Sequence, residues 1–147
     1  MSNFAYDCGV KWGLVLPPYY HFTTDEKIYE FFKEITEGTD LGICVYYTPG
    51  STNVEMSPDL LARIAKLEGI AAIKETVDES HTWATYMAIK DIPDVKVVEA
   101  NEPLLILSYA IGIDAAFSII FNLLPKEMWS MKVSDCGTDA IRQDCKV

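Results

Sequence analysis

Five short apolar runs recur along this chain at a spacing of roughly 20 to 30 residues, and that rhythm limits the fold more than any other feature. The runs are Trp12–Leu16, Ile43–Tyr46, Ala71–Ile73, Val95–Val98 and Ala115–Ile120. Each is too short for a helix of usual length, and none alternates cleanly with polar residues. Strands buried on both faces, as in a parallel sheet, have this pattern.

Helix signals fill the gaps. Thr23-x-x-Glu26 reads as a capping box, with Ile28, Phe31, Phe32 and Ile35 on one face behind it. Ser57-Pro58 reads as an N-cap followed by a first-turn proline, Leu60, Leu61, Ile64 and Leu67 supply the buried stripe, and Gly69 the stop. Ser80 to Lys90 makes a weaker helix with Thr82, Trp83, Tyr86 and Met87 inward. Pro103 starts another that ends at Gly112, and Pro125 opens the last, running from Lys126 into the tail.

Strand and helix in alternation predict an α/β fold with a parallel sheet, either an open doubly wound sheet or part of a (β/α)8 TIM barrel. No GxGxxG and no GxxxxGK[ST] supports a nucleotide fold. The 147 residues suffice for one real core, and no linker divides them, so residues 1–147 read as a single domain.

The net charge of −10 argues against nucleic acid, whose phosphates need a basic surface. Leu104 to Leu124 is long enough for a membrane span, but Asp114 sits in its middle, where a charge is costly in lipid. A buried helix, a tight turn and a buried strand are expected there, with no membrane partner. Cys8, Cys44, Cys136 and Cys145 show no CxxC spacing, and the start Met1-Ser2-Asn3-Phe4 lacks the basic stretch and apolar core of a leader. Reduced thiols in a cytoplasmic protein are expected. His21 and His81 have no metal-like cluster around them, so neither a metal site nor a cofactor is expected.

Ligands of parallel α/β folds bind at the carboxyl ends of the strands. The runs here end in Pro17-Pro18-Tyr19-Tyr20, Tyr46-Tyr47-Thr48-Pro49-Gly50-Ser51, Lys74-Glu75, Glu99-Ala100-Asn101 and Phe117-Ser118. Lys74 closes the almost wholly apolar stretch Ile70-Ala71-Ala72-Ile73. Burial disfavours the charged amine, and a neutral amine attacks carbonyls, the chemistry of Schiff-base enzymes. A strand-end lysine that simply reaches solvent is the plainer alternative. A tyrosine at the neighbouring strand end, Tyr46, can face the same cavity and move protons, or can cap the core as an aromatic. Tyr19 and Tyr20 can likewise be packing or interface residues.

Five motifs stand in one order from Gly9 to Met128: Pro17-Pro18-Tyr19-Tyr20, Tyr46-x-x-Pro49-Gly50-x-Thr52, Ser57-Pro58-x-x-Leu61-x-Arg63, Ile73-Lys74-Glu75 and Pro125-Lys126-Glu127-Met128. Together they resemble the dihydrodipicolinate synthase and N-acetylneuraminate lyase family. The resemblance implies a (β/α)8-barrel class I lyase that binds pyruvate or a related 2-oxo acid through a lysine Schiff base, as a homo-oligomer. It makes Lys74 the imine-forming lysine and Tyr46 the proton-transferring tyrosine. It makes Tyr20 the tyrosine that reaches across a dimer interface, and sets Thr48, Ser51 and Phe117 around the substrate. Phe117 stands where the family has a smaller aliphatic residue.

The chain departs from the family in two places. Ser51 occupies the place of an arginine that grips the second substrate's carboxylate in the synthases, and Tyr47 that of an asparagine. A serine cannot make that charged bidentate contact, so an aldolase or a dehydratase is as open as a synthase. The early βα units, with a GTTGE-type loop for the pyruvate carboxylate, have no counterpart here. What remains, about five βα units, matches strands four to eight. A truncated, non-catalytic barrel fragment acting as an interaction or structural piece is the alternative, and an open flavodoxin-like binding domain is a third reading.

Overall fold

The computed structural model describes residues 2–113 and 115–133. The elements, in chain order, are α1 (Ser2–Asp7), β1 (Trp12–Val15), α2 (Asp25–Glu37), β2 (Gly42–Tyr47), α3 (Pro49–Thr52), α4 (Pro58–Ala65), β3 (Ile70–Glu75) and α5 (Glu79–Ile89). There follow β4 (Lys96–Glu99), a 3₁₀ turn (Glu102–Leu104) leading into α6 (Leu105–Ile111), β5 (Ala115–Ala116), a second 3₁₀ turn (Ile119–Asn122) and α7 (Pro125–Val133).

All neighbouring strands pair in parallel, and their spatial order is their chain order, β1-β2-β3-β4-β5. A doubly wound sheet reverses its strand order at a switch point, and this sheet does not. The flavodoxin-like reading therefore fails. The described strands form an arc of a (β/α)8 TIM barrel, about five βα units long.

The helix-facing side of the arc is the core. Ile43, Val45 and Tyr47 of β2, Ile73 of β3 and Val97 of β4 pack against Ile28, Phe32, Leu60, Leu61, Ile64 and Ile89. Each such fully buried side chain contributes about 1.5–3 kcal/mol through removal of apolar surface from water. The concave side differs from the expectation of strands buried on both faces. Trp12 is 64% exposed and Leu14 is also exposed. They lie on β1, at the edge of the arc, where no described element covers them.

Several local expectations shift. The N-cap of α2 is Thr24, whose hydroxyl accepts from the Lys27 N–H at 3.4 Å, so the helix starts one residue beyond the expected box. Ser57 caps α4 as the sequence indicates, accepting from the Leu60 N–H. The helix stops at Ala65, and Gly69 instead takes a left-handed φ of 92° just ahead of β3. Along α5 the buried residues are Thr82, Thr85 and Ile89, while Trp83 and Met87 are exposed. Thr85 is turned inward by its bond to a buried carboxylate, Glu75. The last run is strand only at Ala115–Ala116. Ser118 Oγ then accepts from the Ile120 N–H and starts the 3₁₀ turn.

No helix among the described residues is long and apolar enough to cross a membrane. The 104–124 segment is instead α6, a left-handed Gly112 cap and the short β5. Asp114, Cys136 and Cys145, and the tail beyond α7, lie outside the described residues.

Candidate active site

Side chains alternate across a strand, so every second residue of β2, β3 and β4 faces the concave side. On β2 these are Cys44 and Tyr46; in register with Tyr46 on β3 is Lys74, and with Lys74 on β4 is Val98. Lys74 is next to last in its strand, at the carboxyl end of the sheet. It is 8% exposed. Its amine lies 3.4 Å from the centroid of the Tyr46 ring and 5.6 Å from that of Phe117. Two aromatic rings therefore shield it, and a ring face attracts a cation.

The concave face also holds a thiol. Burial pushes Cys44 up to about 11, against the opposing charge of Lys74. A thiol raised so far carries little thiolate, the form that attacks carbonyls.

The remaining sequence-derived residues lie on loops around the carboxyl end. Thr48 is buried at the start of α3, where its carbonyl accepts from the N–H of Ser51 and of Thr52 and from the Thr52 hydroxyl. Ser51 is exposed within α3. Phe117 follows β5, is 61% exposed, and is tied to β4 by its N–H donating to the Glu99 carbonyl. Tyr20 is 86% exposed in the loop after β1. That loop borders a cleft of about 590 Å³ with Asn53 and Glu55, and the Tyr20 ring meets His21 edge-on at 4.9 Å. The structure thus brings Lys74, Tyr46 and Phe117 together, while Tyr20, Thr48 and Ser51 occupy neighbouring loops. Among the described residues no cluster of three or more His, Cys, Asp or Glu could hold a metal ion.

Sequence reasoning missed the carboxylates behind the sheet. Glu75 and Glu99 are register partners on β3 and β4, and both are wholly buried on the helix-facing side. Glu99 accepts from the Asn101 N–H at 2.7 Å and from Ser108 Oγ at 2.8 Å. Burial raises its carboxyl above the usual range, and the charge of Glu75 adds to the rise. Glu75 bonds to Thr85 and approaches His81. The available signal was parity: each glutamate sits one residue beyond a concave-facing position, which turns it toward the helices.

The dihydrodipicolinate synthetase family model matches residues 1–139. The 4-hydroxy-tetrahydrodipicolinate synthase of Thermotoga maritima is 37% identical over 123 residues, which are 82% of this chain and 42% of the relative. The crystal structure of dihydrodipicolinate synthase from Thermotoga maritima superposes with a TM-score of 0.85 at 32% identity, over 95% of this chain and 49% of that one. A monomeric dihydrodipicolinate synthase variant superposes with the same TM-score of 0.85 at 31% identity, over 95% of this chain and 48% of its own. The chain spans less than half the length of these relatives. Its matched span and its fold agree, and the chain belongs to the dihydrodipicolinate synthetase family.

Proposed function

We propose that this chain carries the imine-forming part of a class I lyase that acts on pyruvate or a related 2-oxo acid. The observation that supports it is a lysine at a strand's carboxyl end, 8% exposed and sheathed by the rings of Tyr46 and Phe117. In this reading the Lys74 ammonium first gives up a proton, and the free amine adds to the ketone carbon. The carbinolamine takes up a proton and loses water, leaving a protonated imine. Loss of an α-proton then gives an enamine, whose carbon forms or releases a bond to a second carbonyl compound. Tyr46 moves the protons of these steps, and Tyr20, exposed in the loop after β1, reaches from a second copy of the chain into the site.

Thr48, Ser51 and Phe117 contact the substrate in this reading. Ser51 offers a neutral hydroxyl, which suits a second substrate without an anionic group at that end, as in an aldolase or a dehydratase. Residues 1–147 act as one incomplete barrel domain that assembles as a homo-oligomer. Cys8 and Cys44 are both free, which fits a reducing cytoplasmic setting.

The test is exchange of pyruvate methyl protons with deuterated solvent, followed by NMR. Enamine formation predicts exchange that the Lys74→Ala chain lacks. Equal exchange in both overturns the reading.

A further inference from the structure

The groups that this reading leaves unused lie directly behind Lys74. Glu75 points into the helix layer and is wholly buried. Thr85 Oγ1 donates to Glu75 Oε1 at 2.9 Å. His81 Nδ1 lies 3.2 Å from that same oxygen. The other ring nitrogen, Nε2, lies 3.0 Å from the carbonyl oxygen of Met56, in the 53–57 loop that follows Ser51. The imidazole also packs on the Tyr47 ring, with centroids 4.9 Å apart, and the Tyr47 hydroxyl donates to Glu55 Oε2 at 2.8 Å.

Donor and acceptor types fix the protons in this cluster. A backbone carbonyl only accepts, so His81 Nε2 carries a hydrogen. Nδ1 faces Glu75 Oε1 best as the N–H of an imidazolium, which puts one proton between the two side chains. A neutral ring would present a lone pair to that oxygen, and its other neighbour, the Thr85 hydroxyl at 3.5 Å, already donates to Glu75. Loss of the proton therefore breaks the His81–Glu75 contact.

The other ionisable groups around the pair come from every element packed on it. They are Asp78 at the start of α5, Tyr47 and Glu55 on the β2 side, Glu99 on β4, and Lys74 on the opposite face of β3. The carboxylates favour keeping the proton. In line with this, the bond to Glu75 raises the His81 pKa, while burial opposes the rise.

We propose that Glu75 and His81 form a one-proton latch that fixes the end of β3, and with it Lys74, against the 53–57 loop. Both are positioning residues for the lysine, a role whose functional meaning rests on the Schiff-base reading above. The sign follows from the linkage. A histidine whose folded value is raised contributes fully below its unfolded value of about 6.5, and the contribution fades as pH rises through the folded value. The latch therefore opens on the alkaline side.

Two readouts test it without any 2-oxo acid. The sequence holds two histidines, so imidazole ¹⁵N NMR of the full chain compares His81 with the exposed His21. The latch predicts that His81 titrates above His21, with both ring nitrogens protonated on the acid side. In Glu75→Gln an amide N–H can donate to a neutral Nδ1, so His81 titrates lower than in the wild type. The second readout is reductive methylation by formaldehyde and borohydride, mapped by mass spectrometry and normalised to the exposed Lys66.

Wild-type Lys74 changes its relative rate severalfold across the His81 titration, and Glu75→Gln shows no such step. If that variant does not fold, the wild-type chain decides: Lys74 either steps with His81 or tracks Lys66. A His81 that titrates with or below His21 overturns the latch, and so does a Lys74 profile without a step. A step with formaldehyde, but no pyruvyl adduct on Lys74, supports the latch and overturns the Schiff-base reading alone.

Discussion

The Lys74 amine rests on the face of the Tyr46 ring, 3.4 Å from its centroid, and the two residues are register partners on adjacent parallel strands. The pairing separates two roles of the tyrosine. The ring packs on the amine, while the hydroxyl is the group that could carry protons.

Tyr46→Phe keeps the ring and removes the proton carrier. Pyruvate proton exchange should fall by about 10²-fold or more, the size of a general acid–base contribution. The urea midpoint should barely move. Tyr46→Ala should lose the exchange and also up to about 2 kcal/mol of the ring–amine attraction. Unchanged exchange in Tyr46→Phe, measured by deuterium incorporation, contradicts the proton-carrier role.

Glu99 gives a prediction with a sign in pH. Its carboxyl is raised by burial first, then by Glu75. A raised folded value means that the neutral form contributes stability below the unfolded value of about 4.3 and loses it as pH climbs through the folded value. Glu99→Gln stays neutral, can accept from the Asn101 N–H and can donate to Ser108. Its melting temperature relative to the wild type should therefore rise steadily from acidic to neutral pH. A difference that is flat with pH rules out burial of the charge as the cause.

Gly112 ends α6 with a left-handed φ of 109°, and a Cβ built there would fall 2.5 Å from the Tyr86 hydroxyl oxygen. Gly112→Ala carries both the backbone strain and the clash, and should cost more than about 1 kcal/mol. Tyr86→Phe in the same background removes the clashing atom and should recover part of that loss in denaturant melts. No recovery assigns the whole cost to the backbone.

The exposed concave residues Trp12, Leu14 and Phe117, together with the edges of the described sheet at β1 and β5, favour association. The purified 147-residue chain should self-associate and show weak lyase turnover at most. A monodisperse monomer by light scattering, with a kcat of about 1 to 10³ s⁻¹, contradicts this.

Much of the fold was legible because burial on both faces leaves unbroken apolar runs. The runs around β2, β3 and β4 fall within one residue at most of the observed strands at their starts, and Ser57-Pro58 marks the start of α4. The run at 115–120 overshot because apolarity continues through Ile119 and Ile120 after Ser118 has already turned the chain. For α5, the apolar Trp83 and Met87 pointed to the wrong face. Two threonines, one of them bonded to a buried carboxylate, share the inward side of that helix with Ile89.

Lys74 stood out in the sequence because a lone charge in an apolar run is unusual. Glu75 did not, because a glutamate beside a lysine reads as a solvated strand end. Its burial depends on Thr85 and His81, which reach it only once α5 has folded back over β3.

Trapping tests the central claim most directly. The chain is incubated with pyruvate and borohydride, digested and mapped by mass spectrometry. The account predicts a reduced pyruvyl adduct on the peptide containing Lys74, absent when borohydride is omitted and absent in Lys74→Ala. An adduct confined to other lysines, or one that persists unchanged in Lys74→Ala, contradicts it.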